Sequence, residues 1–198
     1  MRLFKLILIG LAFVHLTIFA VESDPLTMMT QITNKMLEEL DRNLGQIKKD
    51  EKLVYNMVNR ILIPHFDLEH MSKSVIGREH WQTATFKVQR QFIEEFTYYI
   101  TSTYSSALKS YDGEKMKFYP LRGQITDRVK ISSDLLLKNG SSIRLQYSLL
   151  KGNTKWLIYD FSVDGVSIVK NYNSQFMSTL RQHGLDGLVK ELRQRNIK

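Results

Sequence analysis

The hydrophobic period of this chain changes from helical to strand-like at Asp112-Gly113, and that change limits the possible folds more than any other feature. Before it, apolar residues recur every three or four positions; after it they alternate. A block of helices followed by a meander of strands is the pattern of an α+β protein, with helices gathered on one face or end of an antiparallel sheet. With 198 residues, 43% of them hydrophobic, the chain is long enough to bury a real core in one or two compact units.

The helical block spans about residues 24–111. Asp24-Pro25 pairs a capping side chain with a proline whose missing N–H costs nothing in a first turn. Ile32, Met36, Leu40, Leu44 and Ile47 then give one helix a single buried stripe. Asp50 opens a second helix through Leu53, Met57 and Ile61, stopped ahead of Pro64. Asp67 opens a third, which Gly77 closes. The longest element starts in TATFKVQRQF and ends in ALKSY, and its stripe is Phe92, Phe96, Ile100, Tyr104, Ala107 and Tyr111, with Tyr99 and Leu108 beside it.

The strand block spans about residues 115–163. Lys115 to Leu121, Val129 to Leu137, Ile143 to Leu149 and the run WLIYDFSV from Trp156 are separated by turn residues at Arg122-Gly123, Asn139-Gly140 and Gly152-Asn153. Short turns join antiparallel neighbours, and Asn-Gly between alternating runs is the strongest hairpin signal. In the last strand, strict alternation puts Leu157, Tyr159, Phe161 and Val163 on one face, with Trp156, Ile158, Asp160 and Ser162 on the other. The first face is wholly apolar or aromatic and needs a cover: helices, a second sheet, or something that is not protein. After the turn at Asp164-Gly165 the apolar run continues, and from about Ser174 the spacing is helical again through Phe176, Leu180, Leu185, Leu188, Val189 and Leu192, interrupted at Gly184. Closing helices are expected over about residues 167–196.

Residues 1–20 stand apart. Arg2 and Lys5 precede a nearly continuous apolar run from Leu6 to Ala20, and charge resumes at Glu22. This is the layout of a signal peptide, cut after Ala20 or as late as residue 23. The run is shorter than the roughly 20 apolar residues that a membrane span requires. Export without a single cysteine means no disulfides, so the fold rests on its core. Losing Arg2 and Lys5 takes the formal charge from +8 to +6. A basic exported protein suits an anionic membrane surface, an acidic partner or nucleic acid; export, and aromatic residues placed on buried stripes, argue against nucleic acid.

No dinucleotide, Walker, nucleophile-elbow or zincin motif occurs. His65 and His70 are five apart, about 140° around a helix, which separates them as metal ligands. Asp160, Asp164 and Tyr159 could form an acid-base group on a strand end, but Asp160 is better read as a polar residue on a wetter face and Asp164-Gly165 as a turn. No catalytic residue, cofactor or metal is expected. An apolar pocket for a lipid tail and a filled core would be built from the same residue types.

The order of several short motifs resembles the MlaC family, also called toluene-tolerance proteins. In the C-terminal third these are Trp156, Tyr159-Asp160, Gly165-Val166-Ser167, Asn171-Tyr172 and Gln175-Phe176. Upstream they are Phe66-Asp67, Met71, Gly77, Trp81, Ala84-Thr85, Gln89-Arg90, Thr103-Tyr104 and Leu108 with Tyr111; at the end, Gly184, Asp186-Gly187-Leu188 and Leu192. The likeness runs in order over the whole chain after residue 24. Two positions depart from it: Asn173 stands where the family usually has arginine, and Phe86 where proline is common.

The resemblance implies a periplasmic phospholipid carrier of a Gram-negative bacterium, with phospholipid as cargo. It implies two partners, an outer-membrane lipoprotein-porin complex and an inner-membrane ABC transporter complex with its periplasmic lipid-binding subunit, and a role in outer-membrane lipid asymmetry. The implied fold is a strongly curved, nuclear-transport-factor-2-like antiparallel sheet with a helical subdomain closing a pocket for acyl chains. On that reading, periodicity selects as lipid-binding residues Phe92, Phe96, Tyr99, Ile100 and Tyr104 on the long helix, Leu135, Leu145, Tyr147 and Phe161 on the sheet, and Val166, Ile168 and Tyr172 near the mouth. Two other classes stay open: a non-catalytic adaptor subunit with a filled core, and a small isomerase or dehydratase with an acid-base pair inside the pocket.

Overall fold

A computed structural model describes residues 24–197; the expected signal segment, residues 1–20 with cleavage as late as 23, lies outside the described residues. Helix α1 (Pro25–Arg42) starts where the Asp24 carboxylate accepts the Thr27 N–H at 2.9 Å. It buries Met28, Met29, Ile32, Met36 and Leu40. The stripe does not continue in one helix to Ile47. At Asn43 the backbone leaves helical geometry, φ −119°, and the Asn43 amide donates to the Glu39 carbonyl at 2.7 Å. That side chain competes with the next helical hydrogen bond, and the short α2 (Leu44–Ile47) turns away.

Helix α3 (Glu51–Ile61) is capped by Asp50 and runs into a 3₁₀ turn, Ile63–His65. In α4 (Leu68–Ile76) the Asp67 carboxylate accepts the His70 N–H at 2.9 Å. Gly77, at φ 82°, then turns a corner that a side chain would strain, into α5 (Arg78–Thr83). The periodicity does not show α5, because six residues are too few to express a helical repeat. Helix α6 (Phe86–Leu108) begins at a Thr85 cap.

The sheet is open and curved, with five antiparallel strands in sequence order: β1 (Lys115–Phe118), β2 (Arg128–Leu136), β3 (Ser142–Lys151), β4 (Trp156–Val163) and β5 (Val166–Ser167). The Asn139-Gly140 hairpin joins β2 to β3, with the Asn139 side chain accepting the Ser141 N–H at 3.0 Å. β1 is shorter than its sequence suggests, and residues 119–127 form a long connection instead of a tight turn at Arg122-Gly123.

One irregularity decides which side chains share a face. Leu149 pairs with Ile158 and Ser148 with Asp160, so Tyr159 is an extra residue in β4 with no partner in β3. Such a bulge reverses the alternation beyond it. Ile158 therefore lies on the same face as Phe161 and Val163, alongside Leu149, Tyr147 and Leu145 of β3 and Val129, Ile131 and Ser133 of β2. The expected grouping of Leu157 and Tyr159 with Phe161 and Val163 is corrected: the first two face outward. Burial agrees, since Trp156 and Ile158 are 4% and 1% exposed.

Helix α7 (Ile168–Asn196) begins directly after β5, where the closing helices are expected, although helical spacing becomes plain only from about Ser174. Val166 ends the strand, and capping turns the apolar residues that follow it, Ile168 and Val169, into the first turn of the helix. The Ser167 hydroxyl accepts the Lys170 N–H at 3.1 Å, and Asp160 accepts both the Val169 N–H at 3.1 Å and the Ser167 hydroxyl at 2.7 Å. α7 breaks at Gly184, φ 62°.

The core is divided into three clusters. Helices α4 to α7 enclose one around Phe92, Phe96, Tyr172 and Phe176. The second joins α1 to α3 and Tyr111. In the third, Met28, Met29 and Ile32 of α1 cover Ile131, Leu149, Trp156 and Ile158 of the sheet.

Candidate functional site

The inner face of the sheet is sealed unevenly. Where α1 crosses it, Ile131, Leu149, Trp156 and Ile158 are buried. Farther along the same face Leu135, Ile143 and Leu145 are only half-buried and stand outside all three clusters. The cross-strand pairs Leu135 with Ile143, Leu145 with Val163, and Tyr147 with Phe161 make one continuous surface. From α6, Tyr104 meets Phe161 edge-on with ring centroids 5.3 Å apart. The result is an apolar, partly covered seam, bounded by Tyr104 on one side and by the strands on the other.

Its polarity is low and uncharged. Burial pushes the Tyr147 phenol up to about 12, and burial followed by the neighbouring Tyr172 does the same for Tyr104. Both stay neutral at physiological pH. Asp134 and Arg144 point to the opposite face, where Arg144 and the Tyr119 hydroxyl both bond the Asp134 carboxylate; Arg144 holds that carboxyl below its ordinary value. Of the two carboxylates considered for an acid-base group, Asp160 is occupied in capping α7 and Asp164 accepts a backbone N–H at the β4–β5 turn. Among the described residues no three His, Cys, Asp or Glu side chains converge. The seam can cover an apolar chain, and its groups do not form a nucleophile with a base.

Of the residues selected from sequence, Tyr104, Leu135, Leu145, Tyr147 and Phe161 come together here. Phe92, Phe96, Ile100, Ile168 and Tyr172 lie in the packed α4–α6–α7 cluster, against which Tyr104, Phe161 and Val163 of the seam also pack. There Phe92 stacks on Phe96 at 5.4 Å and Tyr172 meets Phe96 edge-on at 5.4 Å. Tyr99 flanks that cluster, 5.8 Å from Tyr172, and accepts a hydrogen bond from Arg195 at 3.2 Å. Val166 is 57% exposed on β5, opposite Val163. Ile143 and Val163 belong to the seam and were not selected; their parity with Leu145 and Phe161 was the available signal.

The motif residues act as joints. Asp164 (φ 47°) and Gly165 (φ 83°) form the β4–β5 turn, and Asp164 accepts the Arg144 N–H at 2.9 Å. Gln89 donates to the Trp81 carbonyl at 2.7 Å, closing α5. Asn173 donates to the Val75 carbonyl at 2.7 Å, tying α7 to the end of α4.

The sequence pattern described as MlaC protein matches residues 30–194. The intermembrane phospholipid transport system binding protein MlaC of Haemophilus influenzae is 25% identical over 178 residues, covering 87% of this chain and 82% of its own length. Toluene tolerance protein ttg2D of Pseudomonas putida is 27% identical over 175 residues, covering 88% and 80%. A solved structure from Ralstonia solanacearum, a phospholipid-binding protein in complex with a phospholipid, has the same fold with a TM-score of 0.82 at 23% identity, covering 88% of this chain and 98% of that one. With its joints in place and the family pattern matched over most of its length, the chain belongs to the MlaC family.

Proposed function

We propose that this chain is a periplasmic phospholipid carrier of a Gram-negative cell, exported through residues 1–20. It holds acyl chains against the inner face of the sheet and shuttles lipid between an outer-membrane lipoprotein-porin complex and an inner-membrane ABC transporter complex, maintaining outer-membrane lipid asymmetry. The observation that carries this reading is the half-buried row of Leu135, Ile143 and Leu145, apolar surface on a covered face that no cluster fills. The relatives support it: one is named for phospholipid transport, and the fold neighbour holds a phospholipid.

Each methylene withdrawn from water contributes about 0.8 kcal/mol. A donor membrane offers comparable burial, so loading and unloading nearly balance and the carrier serves to lower the barrier through water. No bond is made or broken, in keeping with a seam of neutral phenols and aliphatic side chains.

The test is native mass spectrometry of the protein purified without detergent, with solvent extraction and lipid analysis, for the wild type and Leu145→Arg. A phospholipid mass increment is expected in the wild type and its loss in a folded Leu145→Arg. A wild type that stays empty after incubation with vesicles would instead favour a filled-core adaptor. An unfolded Leu145→Arg would assign Leu145 to the core.

A further inference from the structure

On the side away from the seam, cationic side chains converge without an ion-pair partner among the described residues. In the corner where α4 meets α5, a cavity of about 270 Å³ is lined by His70, Lys73, Ser74, Gly77 and Arg78. Lys73 and Arg78 are exposed, and among the described residues neither forms an ion pair. The same charge continues onto the outer face of the sheet: the His70 ring packs on Tyr159 at 5.1 Å, and the Arg128 guanidinium sits 5.5 Å from the centre of that ring. Tyr159 is the bulge residue of β4, so the irregularity that gathers the apolar face also supplies the ring on which His70 and Arg128 rest.

The carboxylates on these elements, Asp67, Glu69 and Glu79, form no ion pair with Lys73 or Arg78 among the described residues. Asp67 is engaged by the His70 N–H, and Glu69 and Glu79 are exposed, with no bond to the cavity residues among those described. A merely solvated face would scatter its charges; here an ammonium, a guanidinium, an imidazole and a hydroxyl border one concavity. Such a donor set suits a tetrahedral oxyanion, through charge-assisted hydrogen bonds and a focused positive field.

We propose that the corner formed by His70, Lys73, Ser74 and Arg78 binds a phosphate group, the chemistry shared by free phosphate and a phospholipid headgroup. The site is separate from the acyl seam and does not rest on the carrier reading.

The experiment is a titration of the isotope-labelled protein with inorganic phosphate at constant ionic strength, chloride serving as the comparison, following the amide NMR signals of residues 69–79. Saturable shifts are expected with phosphate and not with chloride. Lys73→Gln combined with Arg78→Gln should weaken binding by about tenfold or more, the loss of charge-assisted hydrogen bonds. The control pair Lys87→Gln and Arg181→Gln, also exposed cations, should leave it unchanged. Shifts that never saturate, or equal weakening by the control pair, would overturn the site.

A second arm identifies the source with phosphatidic acid vesicles against phosphatidylcholine vesicles. Vesicle binding that phosphate competes away and the double variant loses marks the headgroup. A saturable phosphate response without vesicle binding marks free phosphate. Vesicle binding that the double variant retains in full, without a phosphate response, would contradict the proposal. The double variant should keep its co-extracted lipid, and an empty wild type with an intact phosphate response would sink the carrier reading alone.

Discussion

Asn173 occupies the position where the family resemblance leads one to expect arginine, and its amide bonds the Val75 carbonyl at 2.7 Å. The last carbonyls of a helix have no partner within it, so this bond satisfies one while joining α7 to α4. Asn173→Ala should cost about 1 kcal/mol in urea unfolding, and Asn173→Arg, which can also donate to that carbonyl, should cost less. The buried phenols set a pH limit. Tyr104 and Tyr147 titrate near 12 in the fold against 10.0 in the open chain. The unfolded chain thus loses these protons first as pH rises, and the stability they contribute, complete below 10, disappears through about 12. Melting temperatures from pH 9 to 12 should fall, and Tyr147→Phe should flatten that slope. None of this was legible beforehand. Aromatic spacing marks Tyr147 as apolar without showing how deeply it lies, and Asn173 is a departure in a pattern whose purpose only the contact with Val75 explains.

At the scale of elements, what the sequence states well is what one local signal decides alone. The Asn139-Gly140 hairpin, the Asp24-Pro25 helix start and the break at Gly184 are of this kind. What it hides depends on competition between signals. Asn43 ends α1 because its side chain competes with the next backbone bond, and Ser167 with Asp160 opens α7 ahead of the point, about Ser174, where helical spacing becomes plain. The β4 bulge hides best, because alternation is unbroken in the letters and reversed in space. Choosing residues by period gathers Leu135, Leu145 and Phe161, which share the inner face. It gathers Phe92 and Phe96 as well, because an aromatic stripe reads the same whether it meets a helix or a cavity. The kink in α7 gives a test. Gly184 sits at φ 62°, and a Cβ on Gly187 would lie 2.2 Å from the His183 Cβ. Gly184→Ala should lose about 1–3 kcal/mol through strain in a backbone region open essentially only to glycine, and Gly187→Ala should be destabilised by the clash while α7 ahead of the kink keeps its amide protection in hydrogen exchange.

Across the whole molecule, three apolar clusters surround a sheet that is covered by α1 at one end and left half-open at the other. The helical clusters and the α1 contact stabilise the fold; the open end leaves apolar surface available. Asp160 belongs to the first set, since it caps α7 from β4. Asp160→Ala should lower stability by about 1–2 kcal/mol and leave the lipid content of the folded fraction unchanged, whereas an acid-base role would show as lost turnover in a stable protein. The most direct measurement of the central claim is photocrosslinking with a phospholipid carrying a diazirine near the end of an acyl chain, followed by peptide mapping. Adducts are predicted on Leu135, Ile143, Leu145, Tyr147, Phe161 and Tyr104. Adducts confined to exposed residues such as Phe86 or Ile125, with the seam unlabelled, would contradict the account.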